Sequence, residues 1–212
     1  MDTVPPGLPA FVSPVAGARV NTTQLQAAFV DSDSSDSGTV DFQLCSDAAC
    51  SGVLASNTSS PAVIGGTAVS WTPGGLADGT YYWRLRATDF VGNQTGWTAT
   101  RSFVFDTNPP GVPGLVSPAD TAYLGAPPAL SGTFTSTDVG DSGTVSFQVC
   151  SDAACSSVQA SGASSSGLTS GASGSWTPGG LADGLHYWRA RAQDAAGNLS
   201  GWSGTQSFTL DT

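Results

Sequence analysis

The clearest pattern along the chain is an alternation of apolar and polar side chains that begins at residue 81. The apolar positions are Tyr81, Trp83, Leu85 and Ala87, and the residues between them are Tyr82, Arg84, Arg86 and Thr88. Successive side chains of a β-strand point to opposite faces of its sheet, so this pattern predicts a half-buried strand. Turn residues at 76–79 and 89–93 bound it, and the segment 97–105 then predicts an antiparallel partner strand.

Five more strands are predicted before this pair. Residues 8–14 indicate an edge strand, because proline is tolerated only at sheet edges, and 24–30 predict the second strand. Val40, Phe42 and Leu44 alternate with polar neighbours and predict the third. The fourth covers 50–55, and the fifth ends at Trp71. No segment shows a sustained apolar period of 3.6 residues, so almost no helix is expected.

The whole pattern occurs twice. Cys45, Trp71, Asp89, Trp97 and Phe103 recur 105 positions later as Cys150, Trp176, Asp194, Trp202 and Phe208. This self-similarity predicts two repeats, residues 1–105 and 106–212. The final Asp211-Thr212 matches the start of a further copy, so we expect a piece of a longer array whose neighbouring repeats are its partners.

Seven short strands with frequent turns predict an all-β fold, two tandem seven-stranded immunoglobulin-like or fibronectin type III-like sandwiches. The stretches FQLCSDAAC and LADGTYYWRLRATDFVGN and the linker DTxPP resemble bacterial fibronectin type III-like and bacterial Ig-like tandem repeats of secreted or surface proteins. The resemblance implies that a tyrosine early in the sixth strand bonds back to the preceding turn. Tyr81 matches that position, but His186 occupies it in the second repeat, so the bond is either made by histidine or lost.

The charge composition excludes two classes of partner. All 16 acidic residues are aspartate and all 6 basic residues are arginine, for a net charge of -10. An acidic chain without basic patches is not expected to bind nucleic acid or an anionic membrane. The sequence also contains no apolar stretch long enough to insert into a membrane.

The cysteines predict two local disulfides, Cys45 with Cys50 and Cys150 with Cys155. Each pair flanks a predicted hairpin turn, where facing positions have the separation that a disulfide needs. A metal site would need four ligands, and a redox motif has two intervening residues where these pairs have four. Disulfides place the protein outside the cytoplasm.

Residues that could support catalysis or ligand binding are few. Arg84, Arg86, Arg189 and Arg191 fall on the outward face of the sixth strands, where they form either a solvated surface or a ligand-binding strip. His186 is the only histidine and is absent from the first repeat, so it does not predict a catalytic site. Glycosidases place two carboxylates across a cleft, and aspartates in a loop, such as Asp31, do not form such a cleft. We therefore expect no enzymatic activity.

The aspartates around the N-terminal end of each predicted sandwich suggest calcium at the hinge between repeats. Calcium takes six to eight oxygen ligands, which clustered carboxylates and amides can supply. The candidates in the second repeat are Asp106, Asp138, Asp141, Asp194 and Asn198. The corresponding set in the first is Asp2, Asp31, Asp33, Asp36 and Asp89. Aspartate is also common in turns, so turn capping is the alternative explanation for the same residues.

Together these features favour a non-catalytic stalk or spacer of an extracellular bacterial surface or filament protein, including an adhesin. A module that binds a surface glycan or a host protein is the alternative, as are spacer domains of a secreted carbohydrate-active enzyme. Loop aromatics would favour binding. Phe90 is the one such residue in the 89–93 turn, and Ala195 replaces it in the second repeat.

Overall fold

The computed structural model describes residues 3–31 and 36–212, and these residues divide into two compact units. The first unit is Met1–Thr107 and the second is Asn108–Thr212. The division lies two residues after the one drawn from the repeat phase. Asp106 stays with the first unit, where its N–H donates to Val20 O at 3.0 Å. The described residues contain strands and no helix, and therefore no helix that could cross a membrane.

In its described residues the first unit has nine strands. They are β1 (Gly7–Ser13), β2 (Ala18–Val20), β3 (Leu25–Val30), β4 (Ser37–Cys45), β5 (Val53–Thr58), β6 (Val63–Ile64), β7 (Ala68–Trp71), β8 (Gly79–Asp89) and β9 (Arg101–Phe105). They form two sheets, one with the order β1-β3-β7 and the other with the order β2-β9-β8-β4-β5, to which β6 adds beside β4. The predicted seven strands are present, and β2 and β6 are short additions.

The second unit repeats this arrangement. Its strands are β10 (Gly114–Ser117), β11 (Ala122–Leu124), β12 (Leu130–Thr133), β13 (Ser142–Cys150), β14 (Val158–Ala163), β15 (Leu168–Thr169), β16 (Ser173–Trp176), β17 (Gly184–Asp194) and β18 (Gln206–Leu210). The sheets are β10-β12-β16 and β11-β18-β17-β13-β14, with β15 beside β13. The prediction of two all-β sandwiches is confirmed.

The core of each unit comes from the predicted alternation. In the first unit, the apolar positions of β4 and, except for the half-buried Tyr81, those of β8 are fully buried, as are Phe29 from β3 and Phe103 from β9. In the second unit, the same positions of β13 and β17 are joined by Phe134 and Phe208. Trp83 and Trp188 are the largest fully buried side chains. Removal of this apolar surface from water is the main favourable contribution to folding.

Glycine is required at one position of β4 and at the equivalent position of β13. Gly38 in β4 and Gly143 in β13 each face a phenylalanine ring and a backbone oxygen. A Cβ at Gly143 would lie 2.2 Å from Gln193 O and 2.4 Å from the ring of Phe134. Since no real Cβ contact is that short, a side chain at Gly143 would displace the β17 backbone and the Phe134 ring.

Two predicted strand boundaries are wrong, for local reasons. The fourth strand begins at Val53, not at 50, because Cys50 has φ 55° and the turn extends through Gly52. The seventh begins at Arg101, not at 97. In the segment before it, the hydroxyls of Thr95 and Thr98 accept the N–H groups of Ala87 and Leu85, where a strand would present carbonyl oxygens. Ser200 and Ser203 do the same in the second unit.

Candidate functional site

Each unit has a hairpin turn closed by a disulfide. Cys45 is joined to Cys50, and Cys150 to Cys155, with a Cα–Cα separation of 5.1 Å in both, as predicted. Cys50 and Cys155 adopt positive φ values of 55° and 53°, a backbone conformation that non-glycine residues rarely take. The bond therefore lies in a tight turn whose conformation matches between the units.

An aspartate inside each turn organises its backbone. Asp47 accepts the N–H of Gly52 at 2.8 Å and the N–H of Ser51 at 3.1 Å. These backbone hydrogen bonds hold the pKa of Asp47 below its ordinary value, and the N–H groups of Ser156 and Ser157 do the same for Asp152. A carboxylate with several N–H donors stays ionised and fixes the turn.

The tyrosine predicted from the resemblance makes its bond, and histidine replaces it in the second unit. The Tyr81 hydroxyl donates to Ala77 O at 2.8 Å. His186 Nε2 lies 2.9 Å from Ala182 O, the equivalent carbonyl, and Nδ1 lies 2.8 Å from the side chain of Gln159. His186 is 4 % exposed. Both ring nitrogens therefore contact protein groups, and the residue has a structural place in the turn.

The outward arginines form a cluster around a tryptophan, a contact that the sequence pattern does not predict. Arg84 and Arg86 each place Cζ 4.8 Å from the ring centroid of Trp97. Arg84 Nε also donates to Gln43 at 2.9 Å, and Arg86 Nη2 lies 2.7 Å from the Asp41 carboxylate. The strand register pairs Asp41 with Arg86 and Gln43 with Arg84, as expected for neighbouring third and sixth strands. We call this group the arginine–tryptophan cluster.

The second unit keeps the cluster but lacks its carboxylate. Arg189 and Arg191 lie 4.7 Å from the ring centroid of Trp202, and Arg189 donates to Gln148 at 2.8 and 3.0 Å. Ser146 stands where the first unit has Asp41. Among the described residues, the buried Nε of Arg191 has no hydrogen-bond acceptor. A groove of about 340 Å³ borders this guanidinium.

The repeated Asp-Thr motif closes each unit onto its own turn. Thr107 donates its N–H at 3.0 Å and its hydroxyl at 2.9 Å to Asp78. Thr212 makes the same pair of bonds to Asp183, at 3.0 and 2.8 Å. Repetition of the motif in the sequence is therefore explained by a clasp between the end of each unit and its LADG turn.

The aspartates at the ends of the sixth strands cap turns, as their turn-capping explanation requires. Asp89 accepts the N–H groups of Val91 and Asn93 and the side-chain amide of Asn93, at 2.8–3.0 Å. Burial tends to raise the pKa of Asp89, but these hydrogen bonds together hold it below its ordinary value. Asp194 accepts the N–H and side-chain amide of Asn198 at 2.7 and 3.0 Å. Asn198 thus presents its amide nitrogen, not its oxygen, to Asp194.

The other calcium candidates fall in different environments. Asp141 is 5 % exposed and directly precedes β13. Asp138 is half-buried, and its Oδ1 lies 3.4 Å from the side-chain nitrogen of Asn108. Asp106 lies within the first unit, where Arg19 Nη1 donates to its Oδ2 at 3.1 Å. Asp31 and Asp36 are half-buried at the ends of β3 and β4, whereas Asp2 and Asp33 lie outside the described residues.

One pair from the predicted set comes together inside the second unit. Carboxylate oxygens of Asp141 and Asp194 lie within 4.8 Å of each other, and both residues are buried. Strand register explains this, because Gly143 pairs with Asp194 and Asp141 precedes Gly143 by two residues. In the first unit Gly38 pairs with Asp89, which brings Asp36 to the equivalent position.

Comparisons with known proteins identify the architecture. No family model matches the chain, and no curated protein does. Among solved structures, the fibronectin(III)-like modules of Clostridium thermocellum CbhA match at a TM-score of 0.58 and 18% identity, over 96% of this chain and 94% of that one. The FN1–FN3 domains of chicken CNTN1 match at a TM-score of 0.54 and 11% identity, over 98% of this chain and 66% of that one. At such identities the likeness shows the fold, and that fold is a tandem of two fibronectin type III-like modules.

Proposed function

We propose that this chain is a non-catalytic spacer from an extracellular bacterial protein, in which repeated modules hold other parts of the molecule apart. The observation that carries the proposal is the parallel pairing of β2 with β9, in which Ala18 faces Phe103 and Val20 faces Phe105. β2, which follows the first strand β1, and the last strand β9 thus run in the same direction. β11 and β18 repeat the arrangement.

This strand direction suits a module joined head to tail. An antiparallel pairing of β2 with the last strand β9 would return the chain toward the end at which β2 begins. A parallel pairing carries the chain through the module, so that each added copy adds length. The clasps of Thr107 on Asp78 and of Thr212 on Asp183 support the same role, because they tie the outgoing chain to its own module.

The disulfides support an extracellular location. They form and persist in oxidising compartments and are rare in the cytoplasm. A surface stalk, a filament, an adhesin and a secreted carbohydrate-active enzyme all use spacers in that setting. The spacer role is the part of the proposal common to them.

The test compares this chain with a tandem duplicate of itself by small-angle X-ray scattering. Strands of roughly ten residues at about 3.3 Å per residue give each module a length of roughly 35 Å. Duplication adds two modules, so the maximum dimension should grow by roughly 70 Å. Growth of only about a quarter, as expected when a compact particle doubles its volume, would contradict the proposal.

The Arg191 groove supports a second candidate function, recognition of a carboxylate-bearing glycan. Arg191 has the orphaned Nε described above, and Ser161 and Gln148 line the groove beside it. A guanidinium binds a planar carboxylate through two parallel hydrogen bonds. The ligand would take the place that the Asp41 carboxylate occupies in the first unit.

A titration with a uronic-acid oligosaccharide tests this second function. We expect shifts of backbone amide resonances around Arg191 and Trp202, and none around Arg86 and Trp97. The variant Ser146→Asp should abolish the shifts by supplying an internal carboxylate, whereas Ser161→Ala should weaken them less. Equal shifts in both units, or shifts that survive Ser146→Asp, would rule the groove out.

A further inference from the structure

Two buried carboxylates face each other in the second unit, and neither makes a salt bridge with a described arginine of that unit. Asp141 and Asp194 are each 5 % exposed, and their carboxylate oxygens lie within 4.8 Å of each other. Arginine is the only basic residue type that remains charged at neutral pH in this sequence, and the second unit has only Arg189 and Arg191. Both of these contact Trp202 on the outward face of the sheet. Like charges at this separation repel strongly when they are removed from water.

The hydrogen bonds of the pair leave one oxygen unused. Asp194 is oriented by Asn198, which donates to both of its oxygens. Asp141 Oδ1 accepts the N–H of Ser142 at 2.8 Å. Its Oδ2 is buried, and no donor within residues 3–31 and 36–212 bonds to it. A buried carboxylate oxygen without a donor is costly, so this atom is a separate indication that something positive belongs beside it.

We infer that Asp141 and Asp194 are two ligands of a calcium ion bound by the second unit. Hard divalent cations prefer carboxylate oxygens, and an ion between the two groups would offset their repulsion and satisfy Oδ2 of Asp141. The two side chains supply at most four oxygens, so water or other groups complete the six to eight that calcium takes.

One further aspartate of the predicted set is a candidate for a remaining position. Asp138 belongs to the same turn, since Asp141 N–H donates to Asp138 O at 3.2 Å. Asp106 belongs to the first unit, and its role as a calcium ligand stays a prediction from the sequence.

The first test is a thermal unfolding series on the full 212-residue chain, with calcium chloride or with EDTA. Calcium at 1 mM should raise the unfolding temperature of the second unit by roughly 5–10 °C, for a Kd on the order of 10⁻⁴ M. Magnesium should do so less, because it gives up its water reluctantly. No calcium-dependent shift, with no heat of binding by calorimetry, would overturn the inference.

The variant Asp141→Asn separates metal binding from a merely structural role. Its Oδ1 still accepts from Ser142, while its amide donates where Oδ2 had no partner. In EDTA the variant should therefore be at least as stable as the parent, and calcium affinity should fall roughly tenfold or more. Asp183→Asn, which makes the same charge change at a clasp in the same unit, should retain the calcium response.

Other outcomes are equally decisive. An undiminished calcium response in Asp141→Asn would refute this site. If calcium changes neither the unfolding temperature of the parent nor that of Asp141→Asn, the two carboxylates do not form a calcium site. The calcium site and the spacer role can be tested separately. The scattering increment of the duplicated chain can be measured in EDTA, where no calcium is bound.

Discussion

The two units hold their outward-facing arginines in place with different sets of partners. In the first, Arg86 packs against Trp97 and also pairs with Asp41 at 2.7 Å. In the second, Arg191 packs against Trp202 at 4.7 Å, with Ser146 in place of the carboxylate. The contact with tryptophan is kept, and the ion pair is not. The aromatic ring therefore positions the arginines in both units, and the salt bridge of Arg86 with Asp41 is an additional contact in the first.

The turn before the sixth strand also keeps one contact in both units although the residue that makes it changes. A phenol hydroxyl reaches Ala77 O in the first unit, and an imidazole nitrogen reaches Ala182 O in the second. The two side chains differ in shape and acidity. Each places one polar atom 2.8–2.9 Å from the carbonyl and packs its ring against a core phenylalanine. The turn therefore requires an aromatic ring with a polar tip, not a particular residue.

The largest expected difference between the units lies at Gly162, which corresponds to Asn57. A Cβ at Gly162 would lie 2.1 Å from the ring of Trp176, whereas Asn57 is exposed in the first unit. Gly162→Asn should therefore destabilise the second unit by about 2–3 kcal/mol through overpacking. Urea unfolding followed by NMR resonances of each unit measures the effect.

The matched exchange is Asn57→Gly in the first unit. Since the Asn57 side chain is exposed, its loss should cost less than about 1 kcal/mol, mainly by loosening the unfolded chain. Equal effects of the two exchanges would mean that Trp71 and Trp176 pack alike, contrary to the structure.

Removal of the disulfides should affect both units equally. The small loop gives a chain-entropy contribution of about 2 kcal/mol for each bridge. We expect that value for the double variant Cys150→Ser with Cys155→Ser, and the same value for Cys45→Ser with Cys50→Ser. Calorimetric unfolding of each variant, beside the parent with dithiothreitol, provides the check. A difference above about 1 kcal/mol between the units would break their equivalence at this turn.

Exchange of the residue that faces Arg86 or Arg191 should have a smaller effect on stability. Ser146→Asp should stabilise the second unit, and Asp41→Ser should destabilise the first, each by less than about 1 kcal/mol. Both changes should shrink in 1 M sodium chloride, because salt screens partly exposed charges. If Asp41→Ser instead cost several kcal/mol, the ion pair and not Trp97 would position Arg86.

Acid should produce the smallest difference between the units. Hydrogen bonds hold the pKa of Asp47 in the first unit and Asp152 in the second below the ordinary value of 3.8. A lowered pKa in the folded state stabilises the protein above the ordinary value, and that stability is lost as the pH falls through the folded pKa. Both units should thus weaken below about pH 4, with Asp47→Asn and Asp152→Asn reducing the dependence equally in pH-dependent urea titrations.

Much of the fold is predictable because its signals are local. The alternation from Tyr81 to Ala87 places the core face of β8, and the cysteine spacing places the disulfide turn. The facing of Arg86 with Asp41 follows once the third and sixth strands are neighbours. These features depend on sequence period and on one strand pairing.

The missed features depend on contacts between distant segments. Residues 97–100 are predicted as strand because Trp97 and Thr98 favour strands. In the structure the Thr98 hydroxyl accepts the N–H of Leu85, and the segment does not continue the strand. That departure brings Trp97 to Arg84 and Arg86. The clasp of Thr107 on Asp78 joins segments 29 residues apart. In both repeats a serine or threonine stands on each side of Gly-Trp. This repeated pattern is the sequence signal that the segment around Trp97 departs from the strand.

The arginine–tryptophan clusters also bear on how the protein meets proteases. With no lysine in the chain, trypsin-like enzymes have only the six arginines to attack. All of them lie within strands: Arg19 in β2, Arg84 and Arg86 in β8, Arg101 in β9, and Arg189 and Arg191 in β17. Such enzymes need several residues of detached, extended chain, which a paired strand does not provide. Digestion by trypsin must therefore wait for a module to unfold, and its rate would report the opening of the sandwich.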